Sequence, residues 1–158
     1  MARAVRVGII SDTHALMRPQ ALHALQGSDH IVHAGDIGDA AILQALEAIA
    51  PVTAVRGNND TADWAFGLPH AAFTRIEGIG IYVLHDLKDL PNHPAPAGAA
   101  VLVCGHSHRP VVQQRPDGLL LVNPGSAGPR RFKLPVTVAE LHIEAGRCEA
   151  SLIELALG

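Results

Sequence analysis

Five apolar runs in this chain stop abruptly, and each gives way within three residues to side chains that donate oxygen or nitrogen. The sharpest case is Ala99-Ala100-Val101-Leu102-Val103-Cys104-Gly105-His106-Ser107-His108. The run is short for a helix, and a glycine breaks it before two histidines spaced i, i+2. In a near-extended segment that spacing aims both imidazoles at the same side. A buried strand ending this way delivers nitrogen donors to the carboxyl edge of a sheet, where open α/β folds place their sites. Taken alone, the pair reads equally as loop histidines at a surface. Four further endings change the reading: Asp12 and His14 after Val5–Ile10, Asp36 after His30–Ala34, Asn58 after Val52–Val55, and His85 after Ile79–Leu84.

The first half alternates strand and helix. Pro19 suits the first turn of a short helix over Gln20–Gln26, closed by Gly27. Asp39 is a good N-cap for a second helix carrying Ile42, Leu43, Leu46 and Ile49 on one face, stopped by Pro51. Strand, helix, strand, helix, strand implies parallel pairing through right-handed crossovers. The second half reads as hairpins: Ala72–Ile76 with Ile79–Leu84 around Glu77-Gly78, and Val111–Arg115 with Leu119–Val122 around Pro116-Asp117-Gly118. Val136–Ile143 and Glu149–Leu155 then join through Gly146. Pro91, Pro94, Pro96 and Gly98 make residues 86–98 a loop with at most a turn or two of helix. The expected fold is α/β, with two mixed sheets packed as a sandwich and helices on the outer faces. Residues 1–158 form one domain, long enough to bury roughly two-thirds of the unfolded surface.

Composition narrows the function. Five aromatic residues leave an aliphatic core and little material for base stacking. A net charge of −3 with no basic stripe argues against nucleic-acid binding. No stretch reaches the length of a membrane span, and the start at Met1-Ala2-Arg3 shows no signal peptide. Cys104 and Cys148, both in apolar strand contexts, read as buried thiols of a reducing, cytoplasmic protein. Ten histidines in 158 residues hint at metal.

Asp12, His14, Asp36, Asn58, His85, His106 and His108 are seven candidate ligands, too many for one four-coordinate zinc. They suit two divalent ions sharing a carboxylate. An oxygen and nitrogen set without thiolate favours manganese, iron or zinc over calcium or a soft metal. Two ions about 3.5–4 Å apart can hold a phosphoryl oxygen, acidify a shared water and steady a leaving oxygen.

The strings Asp12-Thr13-His14, Gly35-Asp36, Gly57-Asn58-Asn59-Asp60, His85 and Gly105-His106-Ser107-His108, in that order, resemble the motif series of the calcineurin-like metallophosphoesterase superfamily. Asn123-Pro124-Gly125-Ser126 and the short length resemble its small phosphodiesterase branch. The resemblance implies an αββα sandwich and a two-metal phosphoesterase, with Mn²⁺ favoured and Fe, Zn or Ni as other candidates. By position, Asp12, His14 and His108 would hold one metal, and Asn58, His85 and His106 the other. Asp36 would bridge both, and a bridging hydroxide would attack phosphorus in line.

Two residues depart from the pattern. Asn59 stands where many of these enzymes have a histidine that protonates the leaving group, a step asparagine cannot perform. Asp86-Leu87 replaces the usual Gly-His after the His85 position, so a carboxylate at the pocket mouth disfavours highly anionic substrates. The expected activity is hydrolysis of small phosphodiesters in preference to monoesters. A protein-assembly scaffold of the same fold, as in a retromer subunit, is the alternative. A single-zinc amide or nucleobase hydrolase would leave about half the candidate ligands unused.

Among the remaining residues, His33 reads as a satisfied strand histidine or a partner of Asp36. Asp60 either orients Asn58 or caps the next segment. Arg130 and Arg131 either reach a substrate phosphate or form a solvated pair. His23, His30, His70, His93 and His142 read as surface or edge residues. Self-association is left open.

Overall fold

The computed structural model describes residues 4–157, so the reading of Met1-Ala2-Arg3 lies outside the described residues. Ten strands and two short α-helices follow one another as β1 (Val5–Ile10), α1 (Pro19–Leu25), β2 (His30–His33), α2 (Ala40–Glu47), β3 (Val52–Ala54), β4 (Ala71–Ile76), β5 (Ile79–Leu84), β6 (Ala99–Val103), β7 (Val111–Gln114), β8 (Leu120–Asn123), β9 (Thr137–Glu144) and β10 (Arg147–Glu154). They form two five-stranded sheets, ordered β10-β9-β1-β2-β3 and β4-β5-β6-β8-β7. In the first, β1, β2 and β3 run parallel, as the strand–helix alternation predicts. The second sheet is mixed and not simply a set of hairpins, because β6 runs parallel to both β5 and β8. The C-terminal hairpin joins the first sheet, with β9 antiparallel to β1.

Side-chain alternation explains the layering. Val7 and Ile9 of β1, Val32 of β2 and Leu141 and Ile143 of β9 face Ile81, Val83, Val101, Val103 and Val122 of the second sheet across a buried aliphatic core. Ile10, Ile31 and Val138 point the other way and pack with Leu25 of α1 and Ile42 and Leu46 of α2. β9 turns Ala139, Leu141 and Ile143 into the core between the sheets, while on its other face Val138 packs with the helices and His142 and Glu144 are exposed. The Asp39 carboxylate accepts from Ala41 N at 2.9 Å and starts α2, as its N-cap position predicts.

The outer face of the second sheet is covered differently. Tyr82, Leu84, Leu102 and Leu121 pack under Leu87 and Leu90 of the loop that follows β5. That loop makes one 3-10 turn, Leu87–Asp89. Its prolines remove the donors and dihedral freedom that a longer helix needs. Cys104 is buried and Cys148 only half-buried on the edge strand β10, a correction to the expectation of two buried thiols; both are free.

Candidate metal centre

The carboxyl ends of β1, β2, β3, β5 and β6 converge on one edge of the sandwich, bringing all seven candidate donors together. Asp12, His14 and His108 form one group, and Asp36, His85 and His106 a second. Within each group the donor atoms lie within 4.8 Å of one another. Asp36 Oδ2 lies 3.3 Å from His85 Nε2 and 3.7 Å from His14 Nε2, between the two groups. Asn58 Oδ1 lies 3.0 Å from His85 Nε2 and 3.2 Å from His106 Nδ1, completing the second group.

Packing this many polar ends together requires unusual backbone. Asp12 (φ 56), His14 (φ 46), Asp36 (φ 55), His106 (φ 70) and His108 (φ 62) all occupy the left-handed region. Such conformations cost non-glycine residues of order 1–3 kcal/mol each and persist only where surrounding contacts enforce them. Two glycines permit the close approach. A Cβ on Gly57 would sit 2.2 Å from Asp36 Oδ1, and one on Gly105 would sit 2.6 Å from Asp12 Oδ2.

Hydrogen bonds that the sequence did not disclose hold the loops in place. The buried Asp60 carboxylate accepts from Ile37 N (3.1 Å), Gly38 N (3.0 Å) and Gly57 N (2.9 Å). It neither orients the Asn58 side chain nor caps a following segment. It clasps the Asp36 loop to the Asn58 loop. Asn123 Nδ2 donates to Gly105 O and Ser107 Oγ, while Ser126 Oγ donates to Asp12 O. The Asn-Pro-Gly-Ser turn thereby ties the two ends of the centre together. Asn59 donates to Asp36 twice, from its backbone N to Oδ1 at 2.9 Å and from Nδ2 to Oδ2 at 3.0 Å. Its side chain positions the central carboxylate.

His33 is fully buried, and its tautomer follows from its neighbours. Its Nδ1 accepts from Gly35 N. Thr13 Oγ1 donates to Ile37 O, so His33 Nε2–H donates to Thr13 Oγ1. Burial lowers the His33 pKa to about 4, against the pull of nearby carboxylates. The imidazole is therefore a neutral pin between the Asp12–His14 loop and the Asp36 loop.

Electrostatics point to cations. Burial alone would raise the Asp36 carboxyl, but hydrogen bonds from His85 and Asn59 and the charge of His85 and His14 hold it well below the usual range. Burial likewise opposes ionisation of Asp12, yet His108, Ser11 and His85 leave its pKa lowered. Burial lowers His14 in spite of Asp36 and Asp12, with His108 and Arg131 adding to the effect. His85 is raised: burial works against the charged form, and Asp36 and Asp12 outweigh it.

The donor chemistry fits divalent metal. Asp12 Oδ1 is buried without a hydrogen-bond partner and faces His108 Nε2 at 3.4 Å and His14 Nε2 at 3.8 Å. One proton between two imidazoles serves only part of this trio, whereas a cation serves all three. In the second group His85 Nδ1 contacts Ala34 O at 2.7 Å, a bond that only an N–H on that nitrogen can make. In the neutral ring Nε2 is then a lone pair, facing two further acceptors, Asp36 Oδ2 and Asn58 Oδ1. Three electron-rich atoms converging at one point suit a cation.

Other candidates stand apart. His23 and His142 are exposed, and His30 bonds Thr53 Oγ1 at 2.8 Å. Arg130 and Arg131 are exposed, and the Arg131 charge is felt at His14. His70 and His93, read from sequence as surface residues, are exposed but line a cavity shared with Asn58 and His85. No local pattern marks them, since three separate segments meet there.

A two-sheet sandwich with oxygen and nitrogen donors gathered at its strand ends is suited to holding divalent ions. Residues 5–146 match the family model of the calcineurin-like phosphoesterase superfamily domain, and the chain belongs to that family. A probable metallophosphoesterase of Methanothermobacter thermautotrophicus is 33% identical, over 93% of this chain and 91% of that protein. Among solved structures, an archaeal phosphodiesterase aligns with TM-score 0.76 at 20% identity, covering 94% of this chain and 100% of that one. Vacuolar protein sorting 29 of Cryptosporidium parvum aligns with TM-score 0.75 at 19% identity, covering 98% and 99%. At these identities the structural likenesses speak for the fold. Among the described residues no helix is long and apolar enough to cross a membrane.

Proposed function

We propose that this metallophosphoesterase is a single-domain phosphodiesterase with a dinuclear centre, favouring Mn²⁺. Asp12, His14 and His108 would hold one ion, Asn58, His85 and His106 the other, and Asp36 both. The observation that carries the reading is Asp36 Oδ2, one oxygen within 3.7 Å of a histidine from each group. Two ions held there would polarise a phosphoryl oxygen and acidify a shared water, the chemistry an in-line displacement at phosphorus needs.

The chain's own residues favour diesters. The Asn59 amide is engaged with Asp36 and has no acidic proton for a poor leaving group. Asp86 Oδ2 lies 3.6 Å from His106 Nε2 and adds negative charge on the open side, which disfavours a dianionic monoester. Diesters with good leaving groups need neither an acid nor a second charge-neutralising group. Both cysteines are free, in keeping with a reducing, cytoplasmic setting.

Steady-state turnover of an aryl phosphodiester and an alkyl phosphomonoester with added Mn²⁺ tests the preference, and faster monoester turnover reverses it. Protein that takes up no ion and gains no activity with Mn²⁺ returns the scaffold reading.

A further inference from the structure

The loop after β5 divides the rim of the centre into two hollows, one of mixed polarity and one largely apolar. One, about 220 Å³, is bounded by Asn58 and His85 and by Arg56, His70 and His93. Its polar groups are held in place: Arg56 Nη2 donates to His70 Nε2 at 2.6 Å, and the Tyr82 hydroxyl donates to His93 O at 2.6 Å. The other, about 530 Å³, opens beside His106 on the outer face of the second sheet, walled by Cys104, Leu121, Leu87 and Val111 with Lys88, Ser107 and Asn123 also on its lining. Cys104 is buried with Leu102 and Leu121 and contributes an apolar wall. Asp86 lines both hollows and stands between them.

A phosphodiester carries two alcohol groups that diverge from phosphorus. We infer that the substrate is an unsymmetrical phosphodiester, with a hydrogen-bonding, hydroxyl-bearing alcohol in the Arg56 hollow and an apolar aryl or alkyl alcohol in the Leu87–Val111 hollow. This rests on the phosphodiesterase reading and adds the substrate class. Hydrolysis joins the oxygen of one water to phosphorus and breaks one P–O bond. The departing alkoxide gains the proton that water loses, giving a phosphomonoester and an alcohol. The apolar hollow disfavours charged alcohols by desolvation, and the polar one offers Arg56 and the His70 and His93 rings to an alcohol that carries hydrogen-bonding groups.

The test compares thymidine 5′-(4-nitrophenyl) phosphate, which carries one alcohol of each kind, with methyl 4-nitrophenyl phosphate, which lacks the polar one. Arg56→Gln should raise KM about tenfold for the thymidine ester and leave the methyl ester unchanged. Leu87→Ser and Val111→Ser, made singly on half-buried positions, should each raise KM several-fold for both esters. Calorimetry supplies a readout without turnover: wild-type protein should bind diphenyl phosphate about tenfold tighter than dimethyl phosphate, and the serine variants should narrow that gap. Diester turnover with KM values indifferent to all three substitutions overturns the two-hollow assignment and leaves the phosphodiesterase reading intact. Folded, Mn²⁺-loaded protein that turns over no diester overturns both.

Discussion

The two halves of the centre are built from the same residue types and exposed very differently. Asp12 and His108 are 0% and 1% exposed, and an unpartnered carboxylate oxygen faces inward. In the other half Asp36 and His85 are buried, but Asn58 is exposed and the His106 side chain is 41% exposed. The first half is the more enclosed, with the His14 side chain 19% exposed, and the Asn-Pro-Gly-Ser turn braces it through the Asp12 and Gly105 carbonyls. The second opens onto both hollows. On the proposed dinuclear reading, the first half would retain an ion and the second would present one to substrate.

Replacing the shared residue should have the largest effect. Asp36→Asn should lower kcat/KM on the order of 10³-fold, about 4 kcal/mol of transition-state stabilisation. Metal analysis should show loss from both halves together, and unchanged metal content with unchanged turnover would remove Asp36 from its bridging role.

The pin between the halves should give a pH signature. His33 titrates near 4 when folded and near 6.5 when unfolded, so between those values the unfolded chain binds more protons. Stability should therefore fall as pH drops through that window, by about 3 kcal/mol in full. Protonation would also set an Nδ1–H against the Gly35 N–H. Chelator-treated protein melted from pH 7.5 to 4 should show the decline, and His33→Asn should lose that part of the slope.

Asn59→Ala removes one donor from Asp36 without touching a candidate ligand. Because Asp36 is the proposed shared ligand, metal affinity should weaken about 10–100-fold in both halves, the range for groups that orient ligands. A metal titration in which only one half weakens would show that Asp36 serves that half alone.

The smallest effect separates them most cleanly. His106→Gly should abolish activity yet stabilise the metal-free fold by about 1 kcal/mol, because glycine accepts φ 70 without strain and little packing is lost. His108→Gly, at φ 62 but buried, should destabilise it instead, since an internal cavity outweighs the relief. Thermal melts of the two variants in chelator would show opposite signs.

The strand ends were legible because the signal is local. An apolar run breaking at Ser11, Gly35 or Gly105 and followed by Asp or His is visible in a few residues. The helix caps and the hairpin turns were visible for the same reason. Asp60 as a clasp, Asn59 on Asp36, and His70 and His93 beside Asn58 had no such signal. Each is a contact between loops that approach only because the strands pair in one register.

The sequence by itself determined which atoms could serve as donors, and that they would stand at the carboxyl ends of strands. Those properties follow from side-chain chemistry and from the short-range alternation of apolar and breaking residues. Tertiary structure alone decided which half is the more enclosed, and that the rim carries one hollow of mixed polarity and one largely apolar. Exposure and cavity shape arise where the β5, β6 and β8 ends meet the proline-rich loop, and no single segment encodes that meeting.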